Sequence, residues 1–153
     1  MIHEPVAIDE TAELGTNVTV WRFTTIGART KICSDSVIGS NVYIGRDCYI
    51  GRNVHIQHGA FIPNKTFIDD NVFIGPNATL TDDKNPRAGN TDYIPQPPVI
   101  GFGASIGAGA VILPGAEIWP GTMVGAGAVV TKAVKGDTVV GVPARPIGVP
   151  KVV

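Results

Sequence analysis

Three polar side chains have the chemistry to act on a small substrate. His58 carries an imidazole, which near neutral pH can take a proton from an amine or a hydroxyl group. Arg87 and Arg145 carry guanidinium groups, whose planar fork of donors suits phosphate. The alternative for each is a surface side chain without a chemical role. These residues lie far apart in the sequence, so any site that combines them depends on how the fold arranges the chain.

The other histidines and the two cysteines give weaker signals. His3 stands close to the N-terminus, which leaves His55 and His58 in the body of the chain. Two such ligands per chain, shared across a subunit interface, could hold zinc, but we expect no metal. Neither Cys33 nor Cys48 has a neighbour in the sequence that would activate a thiolate. Both are expected to be reduced thiols of a cytoplasmic protein.

An aliphatic residue at every sixth position organises the chain. The first run is Ile8, Leu14, Val20, Ile26, Ile32, Ile38, Ile44, Ile50, Ile56, Ile62, Ile68, Ile74 and Leu80, and the second is Ile100, Ile106, Ile112, Ile118, Val124 and Val130. A small or β-branched residue generally follows four places later, and Gly, Asn or Asp fill turn positions that tolerate a positive φ. A unit this short cannot bury its apolar face alone, so its copies must stack into a solenoid.

Three hexads are expected to close one triangular coil of 18 residues. The hexads therefore predict an all-β, single-domain protein over residues 1–153, with about six coils. Such repeats resemble those of left-handed parallel β-helices. The handedness of the predicted coil is taken from that resemblance. Met1 to Ala7 and the extended tail after Val130 are expected to cap the two ends, where strand edges would otherwise be unpaired.

Stacking places residues 18 apart in one column, once the excess length of the loop is removed. His58 then shares a corner column with Arg22, Ala108 and Ala126, where small residues would let an extended ligand approach backbone N–H groups. Asp82 falls on a different corner. His58 and Asp82 are therefore expected to meet only across subunits, as they would if three prisms packed side by side.

One segment interrupts the repeat. Ile100 lies 20 positions after Leu80, where six are due, so residues of about 81–99 form one extended loop. The loop is polar, Pro-rich and charged, and it contains Arg87. A long excursion from an otherwise unbroken repeat is usually functional, although a tolerated surface insertion is the alternative.

Composition excludes several classes of protein. The net charge of −1 gives no basic field for nucleic acid. No apolar run approaches the roughly 18 residues of a membrane span, and we see no signal peptide. Charged residues make up only 16% of the chain, which indicates that partner subunits cover part of its surface.

The whole chain resembles the hexapeptide-repeat acyltransferases, which are trimeric enzymes that use acyl-coenzyme A. The resemblance is carried by Ile106-Gly107-Ala108-Gly109-Ala110-Val111-Ile112, Val124-Gly125-Ala126-Gly127-Ala128-Val129-Val130 and Gly141-Val142-Pro143-Ala144-Arg145. It implies acetyl-coenzyme A in a groove between subunits, with the pantetheine along Ala108 and Ala126. It also implies that Arg145 lies near the adenosine phosphates, with Lys132 as a second candidate.

A narrower resemblance is to acetyltransferases that modify nucleotide-linked 3-amino sugars for bacterial or archaeal surface polysaccharides. Its motifs are Val20-Trp21-Arg22-Phe23, Ile56-Gln57-His58, Phe73-Ile74-Gly75-Pro76 and Thr81-Asp82-Asp83-Lys84-Asn85-Pro86-Arg87. The resemblance implies that Arg22, Gln57 and Arg87 bind the substrate. It also implies that His58 and Asp82 lie beside the reacting amine. Relatives often carry His, Asn and Asn where Arg22, His58 and Asp82 stand, so the amino sugar can differ.

The resulting prediction is a homotrimeric N-acetyltransferase that uses acetyl-coenzyme A and a nucleotide-linked amino sugar. A neutral amine needs little beyond positioning and a backbone donor for the oxyanion, so His58 either acts as a base or only positions the amine. An O-acetyltransferase of a sugar or other small alcohol is the nearest alternative, and it would need His58 as a true base. Further alternatives are a zinc-dependent protein similar to hexapeptide-repeat carbonic anhydrases and a non-catalytic trimeric scaffold.

Overall fold

Short strands and corners alternate along almost the whole chain. The computed structural model describes residues 1–136 and 138–147, so the predicted domain of 1–153 includes seven residues that lie outside the description. The strands are β1 (Ala7–Ile8), β2 (Glu13–Leu14), β3 (Thr19–Val20), β4 (Thr25–Ile26), β5 (Lys31–Ile32), β6 (Val37–Ile38), β7 (Tyr43–Ile44), β8 (Tyr49–Ile50), β9 (His55–Ile56), β10 (Phe61–Ile62), β11 (Phe67–Ile68), β12 (Phe73–Ile74), β13 (Thr79–Leu80), β14 (Val99–Ile100), β15 (Ser105–Ile106), β16 (Val111–Ile112), β17 (Glu117–Ile118), β18 (Met123–Val124), β19 (Val129–Val130), β20 (Thr138–Val140) and β21 (Arg145–Pro146).

Every third strand joins the same sheet, so the chain winds around three faces. Sheet I has the order β1-β4-β7-β10-β13-β16-β19, sheet II has β17-β14-β11-β8-β5-β2, and sheet III has β21-β20-β18-β15-β12-β9-β6-β3. Strands of the hexads pair in parallel with those one coil away, as in Ile38 with Ile56. The fold is the predicted left-handed parallel β-helix, with about seven turns. The hexads supply the predicted coils, of which there are about six, and the chain continues the stack beyond them at both ends.

The N-terminal segment adds to the stack instead of only covering it. Ile2 forms a parallel bridge to Val20, which places it six residues before Ile8 in the aliphatic column. At the other end, β20 extends sheet III in parallel with β18, and β21 turns back antiparallel to β20. Val134 bridges Ile118 on sheet II. Both predicted end caps are thus present, and each continues the backbone pairing of a sheet.

The core lies along the axis of the prism. The aliphatic side chains from Val20 to Val130 are fully or almost fully buried, as are the small side chains that follow them, such as Val54, Ala78 and Ala110. Corners use the predicted left-handed turn: φ is 57° at Asn41, for example. Alternation of large and small inward side chains therefore sets the triangular cross-section, and the outward residues at the corners are free to carry function.

The loop leaves the corner between sheets I and II. Strand β13 ends at Leu80 and β14 starts at Val99, so residues 81–98 make the excursion. The backbone N–H of Gln96 donates to the carbonyl of Asp82 at 2.8 Å, and Gly115 N–H donates to the carbonyl of Gln96 at 2.7 Å. Gln96 thereby continues the corner column that Asp82 leaves, which explains why the hexad register survives the insertion.

Candidate active site

The corner between sheets III and I carries most of the predicted site residues. Arg22, His58, Ala108 and Ala126 occupy the same point of different coils there, as their spacing predicts. Their equivalence is visible in the backbone hydrogen bonds, in which an N–H group 19 residues later, one coil above, donates to the carbonyl. The pairs are Asn41 N–H to Arg22 O, Asn77 N–H to His58 O and Gly127 N–H to Ala108 O. At a strand separation of about 4.8 Å, five coil steps from Arg22 to Ala126 span about 24 Å. One edge of the prism can thus hold an extended ligand.

Two depressions follow each other along this edge. The lower slot, of about 330 Å³, is lined by Trp21, Val37, Gly39, Ile56, Gln57 and His58. The upper groove, also of about 330 Å³, is lined by Phe73, Ser105, Ile106, Gly107, Met123, Val124, Gly125 and Ala126. The slot lies over the coils of Trp21, Gly39 and Gln57 and the groove over the next three, so they succeed each other as one track on the outer face of sheet III.

The upper groove combines an apolar wall with open backbone donors. Ala108 and Ala126 are exposed, and within residues 1–136 and 138–147 their N–H groups make no hydrogen bond. Gly107 must lack a side chain here, because a Cβ would lie 2.4 Å from the backbone N of Ala126. The groove can therefore accept a long, flexible, mostly apolar chain whose carbonyl groups take hydrogen bonds from the corner.

His58 is held by a hydrogen bond that the sequence did not reveal. Its Nδ1 accepts the backbone N–H of Ser40, one coil below, at 2.8 Å. Because an amide is always the donor, Nδ1 carries no proton, and the neutral ring bears its proton on Nε2. Nε2 then presents a donor, not an acceptor. This geometry does not suit His58 to remove a proton, but it does suit it to donate to a substrate oxygen.

Side chains at the two other corners make the same contact. Asn64 Oδ1 accepts the backbone N–H of Arg46 at 2.9 Å, and Asp70 Oδ1 accepts that of Arg52 at 2.7 Å. All three acceptors stand 18 residues after the amide that they satisfy. The column arithmetic could have indicated this capping role, since an acceptor side chain occupies the corner above an unpaired amide each time.

Asp82 lies at the root of the loop, on the corner between sheets I and II. Its carboxylate accepts a hydrogen bond from the hydroxyl of Tyr93, a residue that sequence reasoning did not single out. Partial burial and, as the second cause in size, the hydrogen bond to Asp82 raise the pKa of Tyr93 to about 12. The hydroxyl is therefore a permanent donor at working pH, and it fixes the loop against the carboxylate. As predicted, Asp82 and His58 stand on different corners of one chain.

The remaining predicted residues lie at several places on the prism. Gln57 is half-buried beside His58 in the lower slot, whereas Arg87 is exposed in the loop, with Nη1 donating to the carbonyl of Pro86 at 2.7 Å. Arg145 is exposed on β21, at the end of sheet III beyond the upper groove. Lys132 follows β19 and belongs to the corner of Asp82, so within one chain it is a corner away from Ala126.

The histidines do not assemble with other ligands. His3 stacks on Trp21, and His55 lies on the outer face of sheet III, on β9. In the part of the chain that the structure describes, no three His, Cys, Asp or Glu side chains come together as a group that could hold a metal ion. Nor does any helix there have the length and apolar character to cross a membrane.

The repeats match a known family of sequences. Residues 29–64 and 97–132 match the family described as bacterial transferase hexapeptide (six repeats). One segment lies on each side of the loop. The first contains most of the residues that line the lower slot, and the second most of those that line the upper groove. A search of curated proteins finds no match to the chain.

Solved structures share the fold. A variant of GDP-perosamine N-acetyltransferase from Caulobacter crescentus, in complex with coenzyme A and GDP-perosamine, is 24% identical with a TM-score of 0.65, and the match covers 96% of this chain and 55% of that one. WeeI from Acinetobacter baumannii is 29% identical with a TM-score of 0.56, over 93% of this chain and 54% of that one. A maltose O-acetyltransferase from Clostridium difficile is 26% identical with a TM-score of 0.62, over 80% and 67%. This chain thus spans little more than half the length of the first two.

Proposed function

We propose that this chain, whose repeats match the bacterial transferase hexapeptide family over residues 29–64 and 97–132, is an acyltransferase that moves an acetyl group from acetyl-coenzyme A to the amino group of a nucleotide-linked amino sugar. The observation that carries the proposal is the track of two successive depressions along the edge between sheets III and I. An apolar groove with open backbone donors lies at its upper end, and a slot with polar side chains lies at its lower end. Two substrates can meet end to end on such a track.

Acetyl-coenzyme A fits the upper groove in its chemistry. A pantetheine arm is flexible and mostly apolar, and its amide carbonyls need donors such as the N–H groups of Ala108 and Ala126. Arg145, beyond the end of the groove, offers a guanidinium for the adenosine phosphates. Lys132 can serve the same phosphates only from a neighbouring subunit. The thioester would then lie toward the lower end of the groove, on the side of His58.

The reaction requires little acid–base chemistry from the protein. The amine nitrogen forms a bond to the thioester carbonyl carbon, the carbonyl oxygen becomes an oxyanion, and the carbon–sulfur bond breaks to release the coenzyme A thiolate. The ammonium proton that results leaves to solvent or to a carboxylate such as Asp82. His58 Nε2–H can donate to the oxyanion, a contact that preorganised donors make valuable in the transition state.

An amine acceptor agrees better with His58 than an alcohol does. A hydroxyl must lose its proton to attack, so it needs a general base, and Nδ1 of His58 is already occupied by the amide of Ser40. The likeness to a maltose O-acetyltransferase, at 26% identity, keeps O-acetylation of a sugar or other small alcohol as the second candidate. That candidate predicts a loss of turnover in every His58 variant.

We further propose a homotrimer in the cytoplasm that serves the synthesis of surface polysaccharides. Only a neighbouring subunit can bring Asp82 and its loop to the corner of His58, because the two residues lie on different corners of one prism. Arg22 and Gln57 would then contact the acceptor from one subunit, and Arg87 would reach it from the other. Sedimentation of the pure protein tests the oligomeric state.

A pair of matched variants tests the cofactor site. Ala126→Leu adds a branched side chain at the exposed corner of the upper groove, whereas Ala28→Leu adds it at the same point of a hexad on the corner between sheets I and II. We expect Ala126→Leu to weaken coenzyme A binding more than ten-fold by calorimetry and to abolish thiol release with a panel of nucleotide-linked amino sugars. Ala28→Leu should bind normally. Equal binding by both variants would remove the groove as the cofactor site.

A further inference from the structure

Trp21 has the largest side chain in its corner column. The equivalent positions of the higher coils at this corner are Gly39, Gln57, Gly75, Gly107 and Gly125. His3 stacks on one face of the indole, with ring centroids 4.1 Å apart and planes 4° from parallel. His3 is fixed in turn, because its backbone N–H donates to the carbonyl of Val20 at 2.9 Å. The indole is therefore held in place from below, although 41% of Trp21 remains exposed.

The free side of Trp21 faces a gap of one coil. Gly39 stands directly above it, and the next side chain in the column is that of Gln57, two coils or roughly 10 Å away. Gly39 must remain without a side chain, because a Cβ would lie 2.7 Å from the backbone N of His58. The lower slot is thus bounded by an aromatic plane at one end and by polar side chains at the other. Such a space accepts a flat ring stacked on the indole.

Arg22 places a positive charge beside this platform. It follows Trp21 on the same corner and is exposed, and throughout the described residues its guanidinium enters no hydrogen bond or ion pair. Its fork of donors is free for phosphate oxygens. An aromatic plane next to an unpaired guanidinium has the chemistry to hold a nucleoside diphosphate, with the base on the plane and the phosphates on the charge.

We propose that Trp21, supported by His3, stacks on the nucleobase of the acceptor substrate while Arg22 binds its diphosphate. This inference rests on the proposed function, since it assumes a nucleotide-linked acceptor. The order of groups along the edge agrees with it: the amine would lie near His58, and the sugar and diphosphate would bridge the two coils down to Trp21. The N-terminal segment that carries His3 then belongs to the acceptor site.

Intrinsic fluorescence tests the contact directly, because the chain has only two tryptophans. The other, Trp119, lies on the corner between sheets II and III under the ammonium of Lys135, 4.8 Å from the ring centroid. Trp119→Phe leaves Trp21 as the sole reporter. Titration of that variant with UDP, GDP, CDP and dTDP should quench the emission for the nucleotides that bind, whereas coenzyme A should quench it little.

Calorimetry of Trp21 variants completes the test. Loss of a base–aromatic stack by substitution with alanine should weaken nucleoside diphosphate binding roughly ten- to hundred-fold. Trp21→Phe, which keeps an aromatic plane, should weaken it only a few-fold. Coenzyme A affinity should stay unchanged in both variants, which also shows that they are folded.

Two results would overturn the inference, and only one of them would also reject the proposed function. Equal nucleotide affinity in Trp21→Ala and the unchanged protein would reject the stacking contact and leave the proposed function intact. Coenzyme A binding without binding of any nucleoside diphosphate, together with acetyl transfer to a simple alcohol, would reject both.

Discussion

Substitution of His58 by asparagine should preserve most of the acetyl transfer, whereas substitution by alanine should not. Asparagine can accept the Ser40 amide through its Oδ1, as Asn64 accepts the amide of Arg46, and it can donate outward through its Nδ2. Alanine supplies neither contact. If Nε2–H of His58 donates to the oxyanion, we expect His58→Asn to stay within about ten-fold of the original turnover number. His58→Ala should lose roughly 10²–10³-fold, the loss typical of one oxyanion donor.

The same contact sets the expected change in stability. Loss of one hydrogen bond costs about 0.5–1.5 kcal/mol, and the lower part of that range applies because His58 is exposed and water can replace its ring. In a domain of this size about 1 kcal/mol shifts the melting temperature by roughly 2–4 °C. His58→Ala should therefore melt slightly earlier, and His58→Asn should melt close to the original protein.

Asp70→Ala is the matched control, since it removes an equivalent amide cap on the corner between sheets II and III. It should lower the melting temperature about as much as His58→Ala while leaving the rate of coenzyme A thiol release unchanged. The reasoning fails if His58→Asn is as inactive as His58→Ala and both abolish the same limb of the pH–rate profile. That outcome would make His58 a general base and favour an alcohol acceptor.

Two further expectations concern the thiols and the loop. Burial raises the pKa of the Cys48 thiol to about 11, so a disulfide reagent at pH 8 should label only Cys33 in the folded protein and both thiols in denaturant; rapid labelling of two thiols would contradict the buried position. Tyr93→Phe removes the donor to Asp82 and should raise the KM for the acceptor several-fold with little change in coenzyme A affinity. Because the pKa of Tyr93 is raised from its ordinary value near 10 to about 12, the stability that its hydroxyl contributes is complete below pH 10 and lost as pH rises toward 12. The melting temperatures of the unchanged protein and of Tyr93→Phe, measured from pH 7 to 12, should therefore converge at the alkaline end.

The regular part of the fold was predictable because one repeat length determines it. The six-residue period identifies the core, and multiples of 18, with the loop excess removed, place Arg22, His58 and Ala126 on one corner. It also separates Asp82 from them. These predictions depend only on counting, since each coil adds one residue to each column and the insertion shifts the count by a constant.

Features that depend on side-chain conformation or on irregular segments were not predictable. The hydrogen bond from Tyr93 to Asp82 joins two points of a loop that has no period. The stack of His3 on Trp21 depends on the rotamers of both side chains, although Ile2 continues the six-residue series one position before Ile8 and so places His3 18 residues before Trp21. For His58, the column arithmetic could have indicated the cap, but the tautomer that the cap imposes depends on the rotamer of the ring. Each of these contacts lies within the candidate site or next to it.

On the proposed function, the solenoid gives the acetyl donor and the acceptor independent positions along one edge. Trp21 and Ala126 lie five coil steps apart, or about 24 Å at the usual strand separation. Substitutions that far apart, with no shared contacts, normally have additive effects. If the proposed sites are correct, a change of acceptor can arise at Trp21 or Arg22 without any change in the upper groove, because neither residue lines it. Gly39 and Gly107 must be kept in either case, because a Cβ at these positions would collide with the backbone of the next coil.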